Sequence, residues 1–216
     1  MALTLYFHPL SSFCQKALIA LYENDTPFTP RVVNLMDEAD RVAFLKIWPI
    51  GKFPVLRDEG RGHTVPEATL IIEYLAQHYP GRTKLVPADA DLALRARLND
   101  RIYDLYVNEQ MQKIIGNRRR PADAKDPHGV QEARARLASA YDVLEKDIAD
   151  KTWSVGEEFT MADCAACPAL FYANMVQPFD KTHPKLAAYF ERLKARPSYA
   201  RAFKESEPFL HLVPRE

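Results

Sequence analysis

The sequence predicts a small α/β domain followed by an all-α domain. Up to Tyr79, strand-like and helix-like segments alternate in the order β-α-β-α-β-β-α. Pro80-Gly81 then ends the third helix of this series. Beyond that point the apolar residues recur at helical spacing, and almost no segment looks like a strand. We therefore expect a mixed sheet covered by helices over residues 1–79, a linker over 80–88 and a helical domain over 89–216.

The elements of the first domain are predicted from short apolar runs and the breaks between them. Residues 2–7 form a run of strand-forming residues, closed by His8-Pro9. Ser11 or Ser12 then caps a helix, and Ser12 is the better candidate for the cap because we expect it to begin that helix. The later elements are expected as a strand over 28–35, a helix over 37–47, a strand over 53–56, a strand over 63–65 and a helix over 68–79. Asp58 to Gly62 has the composition of a hairpin turn between the last two strands.

Helical periodicity predicts the elements of the second domain. One long helix has four apolar residues on a single predicted face: Leu94, Leu98, Ile102 and Leu105. A second long helix follows over residues 130–148, and three shorter ones begin near Thr160, Pro184 and Ser198. Thr160 and Asp163 have the spacing of a capping box, with Asp in place of the usual Glu or Gln.

Composition and charge exclude several classes of protein. The chain is 47% hydrophobic and 27% charged, which is typical of a globular protein with a core. It carries 29 Lys and Arg against 29 Asp and Glu, so its net charge gives no general attraction to nucleic acid or to an anionic membrane. Three cysteines argue against a disulfide framework and for a reducing compartment, and the N-terminus lacks the basic residues of a secretory signal. We expect a soluble cytoplasmic protein with no nucleic-acid or membrane partner.

Two motifs in the second domain are best explained without a ligand. Cys164 and Cys167 form a C-x-x-C pair, but they lie in an apolar run without a second ligand pair. We interpret them as small buried helix residues, and we predict no metal. Arg118 to Arg120 end a helix just before Pro121, where cations suit the negative end of the helix dipole. These arginines are interpreted as a solvated turn.

Ser11-Ser12-Phe13-Cys14, at the junction of the first strand and the first helix, could carry chemistry. A helix N-terminus offers free N–H groups and a partial positive charge, which stabilise an anion such as a thiolate. A serine hydroxyl cannot form a disulfide, but it can donate a hydrogen bond to the thiolate of a ligand. The alternative is an ordinary N-cap.

Two further junctions could bind a peptide-like ligand. A cis bond between Phe53 and Pro54 would leave the backbone N–H and C=O of Phe53 free to pair with an extended peptide, although an ordinary trans proline is the commoner case. Glu67 lies at the start of the third predicted helix, followed by Ala68 and Thr69. It could accept an ammonium group beside N–H groups that receive a carboxylate, or it could simply favour the helix start.

The order and spacing of these three motifs, followed by an all-α domain, resemble a cytosolic glutathione transferase over essentially the whole chain. The stretches that carry the resemblance are residues 5–14, 48–56, 67–75 and 159–163. The resemblance implies a thioredoxin-like N-terminal domain, a helical C-terminal domain and a homodimer. It also implies a detoxifying enzyme that uses glutathione as co-substrate. The serine-type classes fit best: Ser11-Ser12 is similar to zeta-type enzymes, while His8 to Ser11 with Cys14 is equally similar to delta- and theta-like ones.

The resemblance assigns a role to each residue of the expected glutathione site. Ser11 would activate the glutathione thiol, while Phe53, with Pro54 cis, would pair its backbone with the cysteinyl part of glutathione. Lys52 would meet the glycyl carboxylate, and Glu67 would hold the γ-glutamyl ammonium.

Three other residues complete the expected site and its alternatives. Ser12 and Ala68 would also contact glutathione. Ala68 stands where the family usually has Ser, so a hydroxyl donor to the ligand carboxylate is lost while the backbone N–H remains. Cys14 is expected one turn into the helix on its apolar face, and it would be the functional residue only in a thiol–disulfide enzyme.

The expected electrophile site is drawn from the long helix and the C-terminus, where ordinary core residues are an equally good explanation. Its candidates are Tyr103, Tyr106, Gln110, Met111 and Phe209. The predicted activity is attack of the glutathione thiolate on a hydrophobic electrophile. A glutathione-dependent isomerase, peroxidase or dehalogenase, and a non-catalytic ligand-binding module, remain as alternatives.

Overall fold

The first strand is an inner strand of the sheet and buries one of its two faces. Strand β1 (Leu3–Phe7) buries its odd-numbered side chains. It pairs in parallel with β2 (Thr29–Val32) and antiparallel with β3 (Val55–Asp58), which in turn pairs antiparallel with β4 (His63–Pro66). The computed structural model describes residues 2–214, and its four-stranded sheet has the order β2-β1-β3-β4. The predicted small mixed sheet is confirmed.

Three helices belong to this domain: α1 (Ser12–Glu23), α2 (Glu38–Leu45) and α3 (Ala68–His78). Helix α1 is buried along nearly its whole length because it contacts α3 on one side and the second domain on the other. The start of α1 therefore lies where the two domains meet.

The remainder of the described chain is helical, as predicted. The helices are α4 (Ala90–Arg101), α5 (Glu109–Arg119), α6 (Pro127–Asp147), α7 (Met161–Val176), α8 (Pro184–Lys194) and α9 (Pro197–Ser206). A π-helical segment, Ile102–Asn108, joins α4 to α5, so that the three form one long helix. No helix among the described residues is both long and apolar enough to cross a lipid bilayer. The predicted capping box at Thr160 and Asp163 is present.

Three of the four apolar residues that mark the first long helix do not face the core, while the fourth, Ile102, is half-buried against it. Leu94 is 67% exposed, and Leu98 and Leu105 are also exposed. Helix α4 instead packs against α7 through smaller side chains, among them Ala93 and Ala96, which are buried. The periodicity predicts the helix correctly but assigns its buried face wrongly.

A buried cluster of charges connects the two domains. Lys16 of α1 is 1% exposed, and its Nζ lies 2.6 Å from Asp100 Oδ1, 2.7 Å from Asp104 Oδ2 and 2.8 Å from Thr69 Oγ1. Arg101 adds bonds to both carboxylates from the solvent side. Burial raises the pKa of Asp104, although the charge of Lys16 opposes the rise. Because Thr69 lies in the first turn of α3, this cluster fixes the start of α3 against the helical domain.

Candidate functional site

A cavity of about 660 Å³ lies between the domains beside the start of α1. The β1–α1 loop contributes His8 and Ser11 to its wall, and α1 contributes its first residue, Ser12. Phe53 also lines the cavity and contacts His8. Most of the surface that faces the cavity is apolar. A concave, mostly apolar site with a few polar groups is typical of a small-molecule site.

Ser11 is the N-cap of α1. Its backbone is extended, and its Oγ accepts a hydrogen bond of 3.4 Å from the backbone N–H of Cys14. The expectation that Ser12 is the cap is wrong, because Ser12 is the first helical residue and is largely buried. Capping uses Ser11 as an acceptor only, so its hydroxyl proton remains able to donate to a ligand in the cavity.

The loop before Ser11 is held by two residues that the sequence analysis did not identify. Buried Gln15 donates from Nε2 to the carbonyl of Pro9 at 2.9 Å and to Tyr172 Oη at 3.2 Å. Tyr172, on α7, donates its own hydroxyl proton to the carbonyl of Leu10 at 2.7 Å. These bonds fix the position of Ser11 relative to the helical domain. The sequence signal for Gln15 was a polar residue within the buried run of α1, but Tyr172 gave none.

Cys14 does not reach the cavity as a reactive thiol. Its side chain is fully buried, and burial raises the pKa of the thiol to about 12 despite hydrogen bonds with Ser11 and the His8 backbone. Cys164 and Cys167 are also fully buried, and burial raises the pKa of each thiol well above its usual value. Their interpretation as buried helix residues is confirmed.

His8 is a further polar group on the cavity wall. Its Nδ1 accepts a hydrogen bond from the backbone N–H of Leu10 at 3.2 Å, which leaves the ring proton on Nε2 in the neutral form. Partial burial lowers the pKa of His8. The ring stacks on Phe53 at 6.2 Å between centroids and meets the edge of Phe209 at 5.0 Å. Phe209 thus contacts the site through His8.

The Phe53–Pro54 peptide bond is cis, as expected. Phe53 is half-buried and contacts both His8 and Phe44. Lys52, immediately before it, is exposed and lies outside the lining of the cavity.

Glu67 has an unusual backbone conformation at the start of α3. Its φ of 69° lies in the left-handed region, which a side chain other than glycine rarely adopts and which is often found at functional sites. It precedes α3 without a capping bond from its side chain, so no Glu67 carboxylate covers the first N–H groups of the helix. Ala68 is 4% exposed. The hydroxyl of Thr69 is engaged by Asp100 at 2.8 Å.

Comparison with known proteins decides the family. The model of the glutathione S-transferase N-terminal domain matches residues 5–83, and that of the C-terminal domain matches residues 104–197. Glutathione S-transferase 3 of Zea mays is 30% identical over 210 residues, which cover 91% of this chain and 91% of the relative. The chain belongs to the glutathione S-transferase family.

Two solved glutathione S-transferases have the same fold. The structure from Methylobacterium radiotolerans, a complex with glutathione sulfonate, has a TM-score of 0.82 at 27% identity and covers 93% of each chain. The structure from Methylobacillus flagellatus, with GSH bound, has a TM-score of 0.84 at 23% identity and covers 93% of this chain and 98% of its own.

The structure brings two of the five electrophile-site candidates to the cavity and its wall, since Phe209 contacts His8 and Met111 is a lining residue. Met111 lines the cavity beside Ser11. Tyr103 instead lies in the core at 1% exposure, while Tyr106 and Gln110 line a second groove of about 900 Å³ between the long helix and α6. Since residues on a helix are about 100° apart, these positions lie on different faces and cannot all meet one cavity.

Proposed function

We propose that the protein is a glutathione transferase in which the Ser11 hydroxyl stabilises the glutathione thiolate for attack on a hydrophobic electrophile. The observation that carries the proposal is the position of Ser11. It is the N-cap of a buried helix, its hydroxyl proton is free of the capping bond, and it lines a mostly apolar cavity.

Two physical effects at Ser11 would lower the pKa of a bound thiol. The hydroxyl donates a charge-assisted hydrogen bond to the thiolate, and the N-terminus of α1 adds a partial positive charge. Each pKa unit corresponds to about 1.4 kcal/mol, and together these effects supply about one to two units. The thiol gives its proton to solvent. The sulfur then forms a C–S bond with the electrophile, and the electron pair leaves with a halide, opens an epoxide C–O bond or moves onto nitrogen in an isothiocyanate. The nucleophile belongs to glutathione, so the protein forms no covalent intermediate.

The first domain offers partners for the rest of glutathione. The backbone of Phe53 would pair with the cysteinyl unit next to the cis bond, and Lys52 would meet the glycyl carboxylate. At the start of α3, Glu67 would hold the γ-glutamyl ammonium while the N–H of Ala68 receives the carboxylate. Ser12, on the cavity wall, would complete the contacts.

Turnover of glutathione with a panel of substrates tests the proposal. Aryl halides, epoxides and isothiocyanates would be conjugated, whereas peroxides would be reduced to alcohols as two glutathione molecules are oxidised to the disulfide. We expect saturable turnover of at least one conjugating electrophile. Turnover of peroxides alone would favour a glutathione peroxidase. Calorimetric binding of glutathione without any turnover would contradict catalysis and favour a ligand-binding module.

We also propose a homodimer, as the family resemblance implies. The second groove exposes large apolar side chains that a monomer would leave in water: Leu98, Leu105, Tyr106 and Val143. Light scattering should give about twice the 24.7 kDa chain mass, and Leu98→Glu should shift the protein toward the single-chain mass. A single-chain mass for the unmodified protein at micromolar concentrations would contradict the dimer.

A further inference from the structure

One face of α5 forms a wall of the cavity. Its members are spaced so that they share a side of the helix, and they are Met111, Gln112, Ile115, Gly116 and Arg119. A rise of 1.5 Å per residue places Arg119 roughly 12 Å along the helix from Met111. The wall therefore runs from an apolar end to a charged one.

Arg119 gives the cavity its charge. Among the described lining residues there is no Asp or Glu, and Arg119 is the only Lys or Arg. The pKa of His8 is lowered by burial, so His8 is largely neutral at pH 7. Arg119 is exposed, so it lies at the solvent side of the cavity. A mostly apolar cavity whose one formal charge is a cation favours an anionic ligand over a cationic one.

The neighbouring arginines have other partners. Arg118 donates to the carbonyl of Pro214 at 3.1 Å, and Arg120 lies 4.0 Å from a carboxylate oxygen of Asp126. Within residues 2–214, Arg119 forms no ion pair or side-chain hydrogen bond. All three arginines suit the end of α5, but only Arg119 lines the cavity. A favourable interaction with the helix dipole, which all three arginines share, therefore does not explain why Arg119 in particular lines the cavity.

Gly116 leaves open space on the same face of α5, three residues before Arg119. A Cβ added at Gly116 would meet no heavy atom within 4 Å. Room for a ligand group thus exists on this face of α5, within one helical turn of Arg119.

We propose that the electrophile site takes an elongated, mostly apolar electrophile with a carboxylate or sulfonate at its far end, and that Arg119 binds this anionic group. The inference rests on the proposed transferase function and specifies its substrate class. Arginine suits the role because its planar guanidinium can donate two parallel hydrogen bonds to a carboxylate.

A matched pair of elongated aryl chlorides tests the charge preference: (chlorodinitrobenzoyl)aminobenzoate, with its carboxylate on the second ring, and its methyl ester. In both, the glutathione sulfur bonds to the ring carbon that bears chlorine and chloride leaves. The two substrates differ only at the remote end, by one charge and one methyl group. Arg119→Gln should raise the KM for the acid about ten-fold, the equivalent of about 1.4 kcal/mol. The KM values for the ester and for glutathione should be unchanged. Arg120→Gln is the control and should alter neither substrate.

Three results of the kinetic test would overturn the inference. The first is an equal rise in KM for the acid and the ester, which would mean that the variant disturbs the site in general. The second is no effect on either substrate. The third is a raised KM for glutathione with no discrimination between acid and ester, which would mean that Arg119 holds the glycyl carboxylate of glutathione.

A binding measurement separates this inference from the proposed function, because it needs no turnover. Fluorescence titration compares anilinonaphthalene sulfonate with the neutral phenylnaphthylamine. We expect Arg119→Gln, but not Arg120→Gln, to weaken binding of the sulfonate alone. If that difference appears without any conjugating activity, the transferase proposal fails and the anion site stands. If conjugation occurs but Arg119→Gln affects the anionic and the neutral member of each pair equally, the anion site fails and the transferase proposal stands.

Discussion

Replacing Lys16 with Met should be among the most destabilising single changes in the chain. Lys16 and Arg101 balance Asp100 and Asp104, so its removal leaves one negative charge in excess in the interior. Breaking a buried ion pair typically costs 3–5 kcal/mol. Arg101, which is 45% exposed, still balances part of the negative charge in the variant. We therefore expect Lys16→Met to lower the free energy of unfolding by about 3 kcal/mol. For a chain of this length that corresponds to a fall in Tm of roughly 6–12 °C.

The measurement is urea unfolding followed by circular dichroism, with Lys113→Met as the control. Lys113 forms an exposed i,i+4 pair with Glu109, so its loss should cost only about 0.3–0.5 kcal/mol. Combining Lys16→Met with Asp104→Asn should recover part of the loss, because the excess charge is removed.

The loss of unfolding free energy in Lys16→Met, called the deficit below, should also depend on pH. Burial already raises the pKa of Asp104 in the folded protein, and loss of the lysine removes the charge that opposes this. A carboxyl with a raised folded pKa stabilises the fold when protonated and loses that contribution as pH rises. The deficit should therefore be greatest near pH 7 and shrink as pH falls toward about 4. A loss no greater than that of Lys113→Met, or a deficit that grows in acid, would refute this account of the cluster.

Two other substitutions test the glutathione site and the cavity. Ala68→Ser should tighten glutathione binding by about 0.5–1.5 kcal/mol, because the hydroxyl of Thr69 is already engaged by Asp100 and cannot supply that donor; calorimetry showing equal or weaker binding would contradict this. Gly116→Ala should raise the free energy of unfolding by about 0.5–1 kcal/mol, because alanine suits a helix interior and the added methyl meets no atom. A lower Tm for this variant would show that the space is not open.

Local sequence signals predict the junctions of the first domain well. Ser11 and the start of α3 are specified by a few adjacent residues, since helix caps depend mainly on their immediate neighbours. Even there the choice of cap was wrong by one residue, because Ser11 and Ser12 offer the same hydroxyl. The cis bond at Phe53–Pro54 follows only from the family resemblance, because the local sequence alone favours trans.

Long-range contacts could not be predicted in this way. Tyr172 reaches the loop before Ser11 from 162 residues away, and nothing near either residue indicates the pairing. The faces of the long helix were misassigned for a related reason. Periodicity identifies Leu98 and Leu105 as one side of a helix, but it does not say whether that side meets the core of the same chain.

The absorbance of the thiolate of bound glutathione, measured against pH, tests the role of Ser11 most directly. The unmodified protein should lower the pKa of the bound thiol by about one to two units from its free value. Ser11→Ala should raise the pKa of the bound thiol most of the way back to its free value. The same variant should leave glutathione affinity nearly intact and reduce turnover about ten- to a thousand-fold. Ser12→Ala and Cys14→Ala are the matched controls and should keep the lowered pKa. A lowered pKa that survives in Ser11→Ala, or is lost instead in Cys14→Ala, would contradict the assignment.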